Sequence, residues 1–368
     1  MTGLRVAVLM GGRSSEHEIS LASARSVIEG LGQAGYEALP IEISREGRWQ
    51  LPAADRAGQV RPLHRGGEAT ETDVGAGPVP PERQKEATRA VDTALPIFVN
   101  GSPPTALGEV DVVFPVLHGP FGEDGTVQGL LELMDVAYVG PGVAASALAM
   151  DKDLFKSVMR ANDVPVARSA TYRAPERPGV ANSFGLPVVV KPARLGSSVG
   201  ITVARTAEAF EQGVELAFAH DEKILVEEYV SGVEVECSVL GNEAPIASVP
   251  GEIVPLASDW YDYSAKYDDG GMELVVPARI SPEQATRVQE LAVRSFLASD
   301  CEGMARVDLF VDENGEVLVN ELNTIPGFTA TSVYAKLFAA SGIPYPELLD
   351  RLVRLALARH RRRASLRY

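Results

Sequence analysis

Cysteine is scarce in this 368-residue chain, which has only Cys237 and Cys301. Two thiols in apolar or mixed surroundings make neither a disulfide framework nor a metal-binding spacing. Both read as reduced core residues and point to the cytoplasm. Basic charge is short as well: 34 lysines and arginines face 50 aspartates and glutamates, for a net charge of −16. Nucleic-acid binding needs a basic surface, so that class of partner is not expected. No apolar run approaches the length of a membrane span, and the first residues enter a strand without a secretory leader's basic and apolar regions, so no membrane association is expected either. Two fingerprints are missing. The absence of Gly-x-Gly-x-x-Gly argues against a dinucleotide site, and the absence of Gly-x-x-x-x-Gly-Lys-Ser/Thr excludes a Walker loop. What is present is 45% hydrophobic with a mean hydropathy of +0.02, a globular profile in a chain too long for one core.

The stretch that organises the rest runs from Ala305 to Thr324. Two alternating apolar runs flank Asn314-Gly315, the strongest short hairpin signal, because both turn residues accept positive φ. If those two form the loop, Glu313 faces Glu316, Asp308 faces Glu321 and Arg306 faces Asn323. All four of the inner side chains then share one face, and a slip by one residue would separate them. Directly opposed carboxylates repel, which suggests a cation between them. An all-oxygen set suits a hard ion such as Mg²⁺ shared with substrate phosphates. Taken alone, the same face is equally the solvated side of a surface hairpin.

Earlier in the chain, Leu4–Met10 is a continuous apolar run ending in Gly11-Gly12, as in a buried parallel strand. Ser15 and Glu18 fit a capping box on the helix that follows. Glu16 and His17 then stand at the carboxyl end of a strand, where open α/β sheets bind ligands; a carboxylate complementing the helix dipole is the plainer reading of Glu16. Residues 45–109 lose periodicity and read as a peripheral insertion. Val110–Leu117 is a second buried strand, and His118-Gly119-Pro120-Phe121-Gly122-Glu123-Asp124-Gly125 is a site-like turn, unless His118 is structural. The strand Leu186–Lys191 leads into Gly196-Ser197-Ser198-Val199-Gly200, whose N–H groups and hydroxyls suit phosphates, or make a plain mobile hairpin. Trp260 to Tyr267 holds four aromatics and a lysine, read as a lid or as a cover over a satellite core. The basic run Arg359–Arg363 closes an apolar helix pattern and reads as a frayed, solvated end.

Together these pieces resemble the D-alanine–D-alanine ligase family of the ATP-grasp superfamily. The matching motifs are Glu16-His17-Glu18-Ile19-Ser20, Leu117-His118-Gly119, Met150-Asp151-Lys152, Val190-Lys191-Pro192, Gly196–Gly200, Tyr261–Tyr267, Arg306-Val307-Asp308 and Asn320–Gly327. They follow the family's order across roughly residues 4 to 357. The resemblance implies an N-terminal open parallel α/β domain (1–143) followed by two α+β subdomains that clasp ATP (144–230, and 231–368 with a lid near 256–272 and the basic tail). It also implies ligation of two D-alanines through a D-alanyl phosphate, for peptidoglycan precursor synthesis. D-Lactate or D-serine as second substrate is the alternative.

By motif match, Asp308, Glu321 and Asn323 would hold two Mg²⁺ ions, with Mn²⁺ as a substitute; K⁺ is a candidate activator. Lys152, Lys191 and Ser198 would bind the ATP phosphates. Glu227 and Glu234 would take adenine and ribose, with the backbone of Tyr229 and Val230 against the base. Glu16 would hold the first D-alanine's ammonium and His118 would lie close to its carboxylate. Ser197 and Tyr267 would complete a triad with Glu16. Arg306 and the Gly327 N–H would form the oxyanion site. Lys266 and Ser332 would bind the second D-alanine's carboxylate and the transferred phosphate. The family also implies a homodimer, and Tyr267 favours a dipeptide product.

Overall fold

The computed structural model describes residues 3–50, 110–180, 184–256 and 271–367. Most of the expected insertion, most of the expected lid, and with it Lys266 and Tyr267, lie outside the described residues.

Three sheets carry the described chain. In the first, β1 (Arg5–Gly11) pairs in parallel with β2 (Glu37–Ile43) and with β4 (Val112–Pro115). A two-residue edge strand, β3 (Trp49–Gln50), runs antiparallel to β2. Helix α1 (His17–Gln33) links β1 to β2 and buries Ser20, Ala24, Val27 and Leu31. The capping box expected at Ser15 and Glu18 does not form. The helix starts at His17, Glu16 has the N-cap position without a side-chain cap, and Glu18 pairs with Arg45 instead. Ser20 fixes the geometry here: its hydroxyl accepts the Gly11 N–H at 2.8 Å and donates to the Val116 carbonyl, tying two strand ends together. Gly11 is needed for a separate reason. It has φ +87°, and a Cβ there would lie 2.4 Å from the Ile43 carbonyl oxygen.

Helices α2 (Thr126–Leu133) and α3 (Val143–Met150) lead to α4 (Lys152–Ala161). The second sheet is antiparallel, in the order β5 (Ser169–Arg173), β8 (Lys223–Glu228), β6 (Val188–Pro192), β7 (Thr202–Ala204). Helix α5 (Ala207–His220) packs Phe210, Val214 and Ala217 onto it. The third sheet holds β9 (Gly232–Gly241), β10 (Ile246–Ala247), β11 (Gly251–Pro255), β12 (Met272–Val275), β13 (Gly303–Asp312) and β14 (Val317–Asn323). Its core is closed by α6 (Pro282–Ala298), which a Ser281/Gln284 capping box starts, and by Phe155 and Met159 of α4. The last helices, α7 (Val333–Ala340) and α8 (Tyr345–Ala364), pack on the first sheet and α1 in one continuous core.

Two expectations need correction. The first is the hairpin loop, which has three residues, not two. Gly315 donates to Asp312 O, and Asp312 donates to Glu316 O, so Glu313 does not face Glu316. Near the turn the register is therefore slipped by one, with Leu309 opposite Val319. A bulge at Asn320 takes up the slip and restores Asp308 opposite Glu321 and Arg306 opposite Asn323. The second is the basic tail, which is neither frayed nor wholly solvated. Helix α8 runs through it, and Arg359 is 3% exposed. Its guanidinium donates to the carbonyls of Tyr138 (2.8 Å) and Gly140 and lies 4.2 Å over the Tyr138 ring. Nearby, Tyr138 adds a single parallel bridge to Val113 at the edge of the first sheet.

Candidate active site

Two clefts meet between the sheets. The first, about 330 Å³, lies between the second and third sheets and is of small-molecule size. Its inner wall has Val189, Val203 and Phe310, with the Glu228–Val230 connection and Glu234 along one side. Lys152, Lys191, Glu227, Ser197, Ser198 and Glu321 also line it. The second cleft, about 340 Å³, opens toward the first sheet. It is lined by Glu16, His118 and Glu123 from the N-terminal strand ends. Arg306, Asn323, Gly327 and Ser332 line it from the third sheet and the turn after it. Gly196, Ser197 and Glu321 line both clefts, so the two join there.

Each basic group in the first cleft is held by an acid. Lys152 Nζ is 3.2 Å from Glu321 Oε2 and donates to the Leu195 carbonyl at 2.7 Å. Its helix start is pinned by Asp151, which caps Leu154 N and pairs with the buried Lys223 at 2.5 Å. Lys191 Nζ is 2.8 Å from Glu227 Oε2. On the other side of Glu227, Lys156 Nζ is 3.3 Å from Oε1. Burial alone would raise the Glu227 carboxyl, but the two ammoniums outweigh it and hold it below the usual range. Burial pushes the Lys156 ammonium down to about 8, against the pull of Glu227.

The loop between β6 and β7 is strained. Ser197 and Ser198 are consecutive left-handed residues, with φ +53° and +58°, a conformation that costs energy in non-glycine residues and collects at functional sites. The strain places the Ser197 hydroxyl 2.5 Å from Glu16 Oε1, bridging the second sheet to the first.

In the second cleft, His118 Nδ1 lies 3.0 Å from the Ile325 carbonyl. A carbonyl only accepts, so Nδ1 carries the proton and Nε2, 3.4 Å from Ser23 Oγ, has the lone pair. Burial keeps this ring below its ordinary pKa, although Glu16 pulls the other way. Glu123 accepts the N–H groups of Gly119 (2.7 Å) and Ile325 (3.2 Å). Thus His118 and Glu123 hold both polar groups of Ile325, between Asn323 and Gly327. Burial, then the nearby Glu16 carboxylate, push Glu123 up to about 8. Ser332 Oγ accepts the Thr329 N–H at 2.9 Å and lies beside Gly327.

Asp308 is 3% exposed and lines neither cleft. It sits beneath Arg306, which grips it with two bonds of 2.7 Å, and Oδ2 also accepts from Asn323 Nδ2 at 2.9 Å. Among the described residues no three His, Cys, Asp or Glu side chains form a self-contained metal cage. Two carboxylates and an amide fit an ion that takes its remaining oxygens from phosphates and water.

Sequence reasoning passed over Lys156, Glu123 and Glu236, the last buried on β9 opposite Asp308. Lys156 is one turn after Lys152, a lysine among Phe155 and Met159 on the apolar side of α4. Glu236 shares strand parity with Glu234 in β9. Glu123 lay inside a turn already marked as site-like, without a role of its own.

Comparison with known proteins gives one answer. Residues 5–141 match the family model described as D-ala D-ala ligase N-terminus, and residues 159–354 match D-ala D-ala ligase C-terminus. A D-alanine–D-alanine ligase A of Mesorhizobium japonicum is 46% identical, over 98% of this chain and 99% of that protein. The D-alanine–D-alanine ligase of Caldicellulosiruptor bescii is 42% identical over 100% of this chain and 99% of its own. Among solved structures, the D-alanine–D-alanine ligase of Coxiella burnetii superposes with a TM-score of 0.80 at 36% identity, covering 99% of this chain and 97% of that one. The VanG D-Ala:D-Ser ligase of Enterococcus faecalis gives 0.77 at 33% identity, covering 96% and 100%. With two family models covering most of its length and full-length relatives above 40% identity, the chain belongs to the D-alanine–D-alanine ligase family.

Proposed function

We infer that this chain joins two D-alanines into D-alanyl-D-alanine, converting ATP to ADP and phosphate, and so supplies a peptidoglycan precursor. The observation that carries this reading is the meeting of the two clefts at Ser197 and Glu321. A nucleotide in the first cleft would end its phosphates where an amino acid in the second cleft presents its carboxylate. A carboxylate is a poor electrophile, so it must first accept the γ-phosphoryl group to become an acyl phosphate. The amine of the second D-alanine then attacks the acyl carbon, and phosphate leaves.

Both steps spread negative charge over oxygens, which fixed cations and donors stabilise in a water-poor site. Lys152, Lys191 and the N–H groups around Ser198 would hold the phosphates. Glu234 and the Glu228–Val230 edge would hold ribose and base, while Glu227 keeps Lys191 in place. Glu16 would take the first ammonium, fixed by Ser197. Arg306 and the Gly327 N–H would face the oxyanion, with Ser332 toward the second substrate. Lys266 and Tyr267 belong to the same proposal. Asp308, Glu321 and Asn323 would hold Mg²⁺, which supplies charge neutralisation on the phosphates when bound. The three-part division at 143 and 230, a homodimer, a cytoplasmic location and activation by K⁺ are parts of the same reading; no described helix is long and apolar enough to cross a membrane.

The test is phosphate release from ATP and Mg²⁺ with D-alanine, D-serine, L-alanine, or D-alanine plus D-lactate, with the product identified by mass. Release with D-alanine alone, giving the D,D-dipeptide, is expected. Release only with another second substrate reassigns the product and keeps the mechanism. No release with any of them refutes the roles of Arg306 and Glu16.

A further inference from the structure

Arg306 stands between two acids. Besides its two bonds to Asp308, its Nε lies 3.0 Å from Glu236 Oε2. Glu236 is fully buried on β9 and directly opposite Asp308 in the β9–β13 register. Like charges directly opposite one another destabilise a sheet, and a buried carboxylate costs several kcal/mol unless it is paired. A strand position with no task beyond packing would be filled by a neutral residue. The Asp308 oxygens, meanwhile, are taken by Arg306 and Asn323. A hard dication needs lone pairs on those same oxygens, and it repels a guanidinium lying against them. Arg306 and the metal therefore compete for one carboxylate.

We propose that Glu236 is a positioning residue that takes over Arg306 when a divalent cation takes Asp308. The guanidinium moves from one carboxylate to the other within the same site and stays aimed at the cleft beside Gly327. This rests on the metal-binding reading of Asp308, Glu321 and Asn323, and it adds a function for a residue outside that set. It also predicts an unusual sign: removing the arginine should improve metal binding while abolishing catalysis.

The experiment titrates Mn²⁺ into the full chain saturated with a non-hydrolysable ATP analogue, with free Mn²⁺ read by electron paramagnetic resonance. Circular dichroism of the metal-free variants checks folding. Glu236→Gln should weaken Mn²⁺ about tenfold, since a factor of ten is only about 1.4 kcal/mol, less than the usual loss on removing one partner of a buried pair. Arg306→Met should bind Mn²⁺ at least as tightly as the parent. The double variant should match Arg306→Met, because there is no guanidinium left to hand over. Equal weakening by Glu236→Gln in both backgrounds would mean that Glu236 acts on the metal directly, and that overturns the proposal. So does unchanged Mn²⁺ affinity in Glu236→Gln, or weaker binding in Arg306→Met. Should Glu236→Gln fail to fold, weaker binding in Arg306→Met still overturns the proposal. A parent chain that binds no Mn²⁺ refutes the metal-binding reading itself, a different result from any of these.

Discussion

The clearest test of the C-terminal helix is Arg359→Met. A frayed tail and the buried guanidinium seen here predict different outcomes. If Arg359 were solvated, the change would stay within about 0.5 kcal/mol, as surface substitutions do. In the structure the side chain is 3% exposed, donates to the Tyr138 and Gly140 carbonyls and stacks on the Tyr138 ring. Methionine keeps much of the volume but removes all donors. Two carbonyls then lose their partner at about 1–3 kcal/mol each, and a desolvated cation–π contact of about 2 kcal/mol goes with them. Against this, the guanidinium no longer has to be desolvated. The expected net loss is about 3–5 kcal/mol, the range for breaking a buried charge interaction. That lowers the midpoint of thermal unfolding by about 4–6 °C. The assay is thermal unfolding by circular dichroism, with Arg361→Ala as control, since Arg361 is exposed on the same helix. Arg359, Tyr138 and Gly140 line neither cleft, so kcat at 25 °C should remain within about twofold, a shift of only about 0.4 kcal/mol. Equal midpoints for Arg359→Met and Arg361→Ala would refute the burial argument.

Three further outcomes are expected. Asp308→Asn should raise the Mg²⁺ concentration needed for half-maximal phosphate release at least tenfold, about 1.4 kcal/mol. Its metal-free unfolding midpoint should barely move, because Arg306 keeps Glu236; early unfolding with normal Mg²⁺ dependence would contradict the metal role. Glu123 titrates near 8 in the folded chain, well above its ordinary value, so between those two values the folded state holds the extra proton. Its contribution is complete at acid pH and is lost as pH rises toward 8, by up to about 1.4 kcal/mol per unit. Glu123→Gln should therefore gain stability relative to the parent between pH 5 and pH 8 in urea titrations, and a constant difference would remove the argument. Finally, Gly11→Ala places a Cβ 2.4 Å from the Ile43 carbonyl oxygen at φ +87°, and should cost at least about 2 kcal/mol in urea unfolding.

Much of the architecture was legible because it rests on local patterns. Leu4–Met10 and the alternation along β13 each specify their element within a few residues. The facing of Asp308 with Glu321 and of Arg306 with Asn323 was also read correctly, although its premise was wrong. Asn314-Gly315 suggested a two-residue loop, whereas the chain uses three and recovers the register with a bulge at Asn320. No local signal marks that bulge. It leaves Asn320 within 3.4 Å of Lys191 and Glu321 within reach of Lys152, contacts that come from another sheet and from α4. The basic tail was misread for a related reason: the carbonyls that bury Arg359 lie 219 and 221 residues away. Glu236 was invisible because its partners are reached only across strands.

The charged groups assigned to ligands are paired with one another in the structure. Lys152 holds Glu321, Lys191 holds Glu227, and Arg306 holds Asp308. Such pairing keeps a partly buried site from carrying bare charge, which would cost several kcal/mol per ion. On the proposed roles it also sets how loading would proceed: phosphates would draw Lys152 and Lys191 away from Glu321 and Glu227, while a divalent cation would draw Glu321 and Asp308 away from Lys152 and Arg306. Either ligand alone leaves one member of a broken pair exposed to repulsion or without a partner. Together they exchange old pairs for new ones, so nucleotide and metal should bind with positive coupling even before their direct bond is counted. Two of the displaced groups have a second partner within reach. Lys156 lies 3.3 Å from Glu227 and would remain its partner if Lys191 turned to a phosphate, and Glu236 lies 3.0 Å from Arg306 and would remain its partner if Asp308 turned to a metal. Lys156 and Glu236 belong to no motif of the site, yet on the proposed reading each would keep one charge paired through the exchange.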